Sequence, residues 1–192
     1  MYRSIKPVST IVIAFLTSFL FVGKASSQSF ALKSNVLYDL TGTVNLGGEV
    51  RCGERHSLSL GVSYNPWEYG SNKKTKLLLV QPEFRYWLGK AFAGSFFGVQ
   101  AHYAQYNFAG TTPFRTIKDN RYQGNLIGCG LTYGYQWIIG DFWSLEASLS
   151  VGYAYLSYDR YGPAKGDAMT GSSHRNYVGP TQIGLSFVYF IR

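Results

Sequence analysis

From Gln28 onward, apolar and polar positions alternate with a period of two, and no segment sustains a helical period. Such alternation marks strands whose two faces meet different surroundings. Between Trp143 and Tyr155 one face reads Trp143, Leu145, Ala147, Leu149, Val151, Tyr153 and Tyr155, and the other Ser144, Glu146, Ser148, Ser150, Gly152 and Ala154. The first face suits lipid; the second suits a packed polar interior.

The same pattern returns along the chain. Residues 77–88 set Leu78, Val80, Pro82, Phe84, Tyr86 and Leu88 against Leu77, Leu79, Gln81, Glu83, Arg85 and Trp87. Residues 125–138 place Ile127, Cys129, Leu131, Tyr133, Tyr135 and Trp137 outward over Gly128, Gly130, Thr132, Gly134 and Gln136. The C-terminal strand predicts Tyr177, Gly179, Thr181, Ile183, Leu185, Phe187, Tyr189 and Ile191 outward, and Val178, Pro180, Gln182, Gly184, Ser186, Val188 and Phe190 inward. Shorter strands are predicted at about 31–38, with Leu32, Val36 and Tyr38 outward, and at 44–52, 57–64 and 95–103.

These segments make eight strands. The number is even, as an antiparallel barrel with both termini on one side requires. Short turns fall near Gly53–His56, Gly89–Ala91 and Gly140–Asp141, and long polar loops at 65–76, 108–122 and 159–176. Short turns are expected on the periplasmic side and long loops outside. The fold class is therefore an eight-stranded antiparallel up-and-down transmembrane β-barrel. A soluble barrel of the lipocalin kind is the rival, with the faces inverted around a ligand. Against it, the bulky apolar face would overfill so narrow a lumen.

The N-terminus alters where this barrel is expected to reside. Arg3 and Lys6 precede an apolar run from Val8 to Val22, and Ala25-Ser26-Ser27 supply small residues before Gln28. That layout predicts a cleaved signal peptide over 1–27 and a barrel domain over 28–192. The run is too short to span as a helix. An exported barrel of this kind is expected in a bacterial outer membrane. Composition agrees, with 16 Tyr, 13 Phe, 4 Trp and 22 Gly but only 15% charged residues. Cys52 and Cys129 fall on outward faces of strands that are not neighbours, which argues against a disulfide.

Charge supplies the candidate sites. Lys33, Glu49, Arg51, Glu83, Arg85 and Glu146 are placed in the lumen, three of each sign. Buried charges must be paired, so they predict a salt-bridge plug that orders the interior; the alternative is a gated pore or proton path. A second group, Lys73, Lys74, Arg115, Lys118 and Arg121, lies in or beside the outer loops, where cations pair with lipopolysaccharide phosphates. His102 faces inward near Gln100 and Gln136 with no nucleophile or carboxylate assigned to it. Three scattered histidines give no metal-ligand spacing. Gly128-Cys129-Gly130 lacks the lysine and following helix of a phosphate loop. No catalytic residue, cofactor or metal is assigned, nucleic acid is excluded by location and by the lack of a dense cationic face, and a monomer is expected.

Some strings are more specific than alternation. Asn35-Val36-Leu37-Tyr38-Asp39, then Asn65-Pro66-Trp67, then Val80-Gln81-Pro82-Glu83-Phe84-Arg85-Tyr86-Trp87 follow in order. Together they resemble a family of short Bacteroidota outer-membrane barrels classed as a domain of unknown function. The resemblance implies an envelope location, a barrel fold and a link to surface-fibre assembly, because family members occur beside genes for surface fimbriae. It implies no catalytic residue. Four function classes stay open: a structural or surface-interaction barrel, a narrow channel, a lipid-modifying barrel enzyme and a soluble ligand carrier.

Overall fold

The computed structural model describes residues 30–69, 73–109, 121–161 and 169–191. The expected signal peptide, 1–27, lies outside them. The elements are β1 (Phe30–Asn35), α1 (Val36–Leu40), β2 (Val44–Arg51), β3 (His56–Asn65), the two-residue β4 (Glu68–Tyr69), β5 (Lys73–Trp87), β6 (Gly94–Ala109), β7 (Arg121–Ile138), β8 (Trp143–Tyr161) and β9 (Met169–Ile191). All pairings are antiparallel. β1 joins β9, β3 joins β5, and eight strands close into a ring in chain order. Closure leaves the main strands without a free edge, which a β-structure in lipid requires.

The alternation follows from this geometry. Glu49, Ser57, Gln100, Gln136, Glu146 and Ser150 are buried inside, whereas Leu131, Val99, Ile127, Ile183 and Leu149 each keep half or more of their surface exposed outside. In the lower barrel the apolar face is the outer one, so the inverted, lipocalin-like arrangement does not describe it. Cys52 and Cys129 are free thiols exposed on that outer surface.

Three local expectations are corrected. The first strand stops at Asn35, not residue 38. The Asn35 side chain accepts the Leu37 N–H and caps one helical turn. Tyr38 consequently leaves the outward row and lines an internal cavity.

Second, β9 changes phase. Ser150 pairs with Gln182 but Val151 pairs with Pro180, so Thr181 is an extra residue. Such a bulge reverses which face later residues take. Thr181 points inward and accepts a hydrogen bond from Gln100 Nε2 at 3.1 Å. Gly179 pairs with the lumen-side Gly152, while Val178 pairs with outward Tyr153 and is 81% exposed. The strict alternation predicted the opposite for Thr181, Gly179 and Val178.

Third, much of the expected long loops is strand. β8 runs to Tyr161 and β9 starts at Met169, within the expected loop 159–176; β6 and β7 reach Ala109 and Arg121. Alternation persists there with inverted sense. The outer surface carries the rows Leu78–Gln105–Asn125–Ser157–His174 and Lys76–Asn107–Gln123–Asp159–Ser172. The inner surface carries Leu79–Ala104–Leu126–Leu156–Arg175 and Leu77–Tyr106–Gly124–Tyr158–Ser173. The opposite wall is lower: β3 ends at Asn65, whose partner on β5 is Leu77.

Candidate functional site

The lumen is filled in layers. At the short-turn end sits an apolar plug of Ala31, Trp87, Ala91, Phe92, Phe96 and Val188, with Phe190 packed against it. Trp87 and Phe96 are fully buried, their ring centroids 4.7 Å apart. Phe92 adopts φ 70°, rare for a residue with a side chain, and its ring turns in against Phe190 at 5.4 Å. Burying that ring offsets the backbone cost. Two turns dock beneath the plug, with Trp87 N–H donating to the Arg55 carbonyl and Ala91 N–H to that of Glu54, both at 2.8 Å.

Above the plug lies a charge cluster. Arg85 Nη1 reaches Glu146 Oε2 at 2.8 Å and Glu49 Oε2 at 3.0 Å. Its Nη2 and Nε donate to Glu83 Oε2 at 2.6 and 2.8 Å. Lys33 Nζ pairs with Glu49 and, at 2.5 Å, with Glu146. Ser57 Oγ donates to Glu49 and accepts from Trp87 Nε1 at 2.8 Å, joining the cluster to the plug. The guanidinium also lies 4.3 Å from the centre of the Phe96 ring, a cation–π contact. Gly98 and Gly134 make room: a Cβ at either would collide with Glu83 Oε1 or the Phe96 ring.

Five of the six predicted lumen charges therefore meet. Arg51 does not join them; it sits at the end of β2 and donates from Nε to the Gly53 carbonyl at 3.0 Å. The cluster thus holds three carboxylates against two cations, not the balanced set of six. The alternation on each strand located these residues. Phe92 and Phe96 were missed, although Phe96 stands in phase with inward Gly98, Gln100 and His102.

A polar cavity of about 60 Å³ follows toward the long-loop end, lined among others by Asn35, Tyr38, Ser63, Gln81 and Gln182. This is room for a few waters at most. His102 is buried on the lumen side and packs over Gly128. Among the hydrogen bonds of the described residues no carboxylate or hydroxyl bonds to it, and its Nδ1 is buried without a partner. Among those residues no group of three or more His, Cys, Asp or Glu side chains could hold a metal ion.

Of the expected outer cations, Lys73 and Lys74 open β5 and Arg121 opens β7. Arg115 and Lys118 lie outside the described residues.

Comparison with known proteins gives a family and no function. No curated protein and no solved structure matches the chain. A family model described as a protein of unknown function (DUF3575) matches residues 11–191, nearly the whole sequence, and the chain belongs to that family.

Proposed function

We propose that this protein is an outer-membrane β-barrel with a sealed lumen, acting as a structural or surface-interaction element rather than as a channel or enzyme. One observation carries the reading: the lower wall is apolar on the outside while its interior is plugged by rings and paired charges. From Trp143 to Tyr153, at about 3.3 Å per residue and a tilt near 40°, β8 climbs roughly 25 Å, the height of a hydrocarbon band. Aromatic residues ring its lower rim, where Tyr135 and Trp137 lie 4.8 Å apart and Trp143 and Tyr189 lie 4.8 Å apart, as at a membrane interface. The outer surface turns polar at Gln105, Asn125 and Ser157, which sets the upper boundary.

The described residues beyond that boundary rise into the external medium, a placement suited to contact with surface-fibre components. In this reading lipopolysaccharide phosphates are the anions for the cations at the start of β5 and β7, Lys73, Lys74 and Arg121. The N-terminal segment serves as the export signal. Two measurements test the reading. The purified chain should fold into bilayers as a species whose gel migration changes on heating. In planar bilayers it should give no unitary conductance. Reproducible conductance steps would replace the sealed barrel with a channel.

A further inference from the structure

Above the membrane boundary the inner face of the wall is apolar, and among the described residues no strand stands opposite it on the β1–β3 side. Leu126 and Leu156 face each other across β7 and β8, with Tyr106 and Tyr158 in the next row outward. Tyr106 stacks on Phe108 at 5.5 Å, and Tyr158 meets Tyr122 edge-on at 5.7 Å. Because β3 stops at the level of Leu77, this surface is a concave half-wall above the lower β1–β3 side. The surface from Leu126 to Tyr122 rises roughly 13 Å along the strand.

Its charge is one-sided. Arg175 pairs with Leu156 and is exposed at the end of the aliphatic row. Among the described residues no Asp or Glu takes an inner-face position at these levels; Asp159 lies in an outer row. An aliphatic and aromatic trough ending in a guanidinium complements a molecule with an apolar tail and an anionic head.

We propose that this concave face binds a single-chain anionic amphiphile taken up from the aqueous side, the acyl chain lying on Leu126, Leu156, Tyr106, Phe108 and Tyr158 and the headgroup on Arg175. The proposal rests on the membrane reading above, since only that reading places the trough clear of bilayer lipid.

Native mass spectrometry of the folded full chain in a neutral detergent, with dodecyl phosphate as the probe and dodecyl maltoside as the uncharged comparison, tests it. One saturable dodecyl phosphate adduct is expected. Leu156→Glu should weaken it by about tenfold or more and Arg175→Gln by about fivefold, while Val151→Thr on the lower outer belt should leave it unchanged. Arg175 is exposed, so its variant folds even if Leu156→Glu does not. Adducts that accumulate without saturating, or that persist equally in Arg175→Gln, would show detergent-like coating of the belt and overturn the trough. Equal binding of dodecyl maltoside would remove the anionic headgroup from the proposal and overturn it as stated. A chain that binds the probe yet never enters bilayers would sink the membrane reading alone.

Discussion

Arg85 on β5 and Glu146 on β8 meet across the lumen at 2.8 Å, although two strands separate them along the wall. The pair bridges the interior rather than bracing neighbouring strands. Both side chains are at least 96% buried, so each depends on the other for the solvation that water would give.

Removing one partner should therefore cost far more than a surface change. Arg85→Ala leaves Glu49, Glu83 and Glu146 with Lys33 alone. Its expected cost is about 3–5 kcal/mol, the usual penalty for an uncompensated buried charge. Glu146→Gln added to Arg85→Ala should recover part of the loss. Lys90→Ala, in an exposed turn, should change stability by less than about 0.5 kcal/mol. Urea unfolding of the bilayer-inserted barrel measures all three. Equal small effects at Arg85 and Lys90 would mean a solvated lumen.

The ring plug makes a separate prediction. Phe96 is fully buried between Trp87 and the Arg85 guanidinium, so Phe96→Ala removes packing and a cation–π contact together. A loss of about 3–5 kcal/mol is expected. Phe97→Ala, on the exposed outer side of the same strand, should cost much less, because that ring leaves no enclosed space behind. The same unfolding assay compares the two, and similar losses would argue that Phe96 is not the seal.

Orientation gives the third prediction. In a Cys52→Ser, Cys129→Ala background, Leu40→Cys at the long-loop end should react with a membrane-impermeant maleimide on intact cells. Lys90→Cys and Asp141→Cys, in the short turns, should react only after lysis. The reverse pattern would turn the barrel over.

How far the sequence carried these conclusions depends on what each face touches. On β8 one unbroken alternation, apolar against Ser and Glu, makes both strand and lumen residues readable, because the outer surface and a narrow interior impose opposite demands at every second position. The charge cluster follows from it, since Glu146 sits in phase with Ser144 and Ser148, and Glu83 and Arg85 fall on the face of their strand opposite Val80, Phe84 and Tyr86. Arg51 shares the lumen phase but not the cluster, because phase fixes the side a residue faces and not its depth, and at the end of β2 it reaches a turn carbonyl instead. Thr181 departs from the strict alternation because a bulge of one residue leaves no compositional mark. The upper ends of these strands resemble loops in sequence because their alternation inverts: Leu156 and Tyr158 turn inward while Ser157 and Asp159 face outward. Phe92 required a backbone conformation that nothing in the sequence around it announces.

The central claim is that one continuous strand passes from lipid into water with its inner face never wetted by an open pore. Spin labels introduced singly at outward β8 positions Leu145, Leu149, Val151, Ser157 and Asp159, in bilayers and without native cysteines, test it most directly. The account predicts high collision with oxygen and low collision with a water-soluble nickel chelate at 145, 149 and 151, reversed at 157 and 159. A label at the inward Ser150 should meet neither reagent freely. Nickel access at 149 and 151 equal to that at 157 would contradict a lipid-facing belt, and free nickel access at 150 would contradict a sealed lumen.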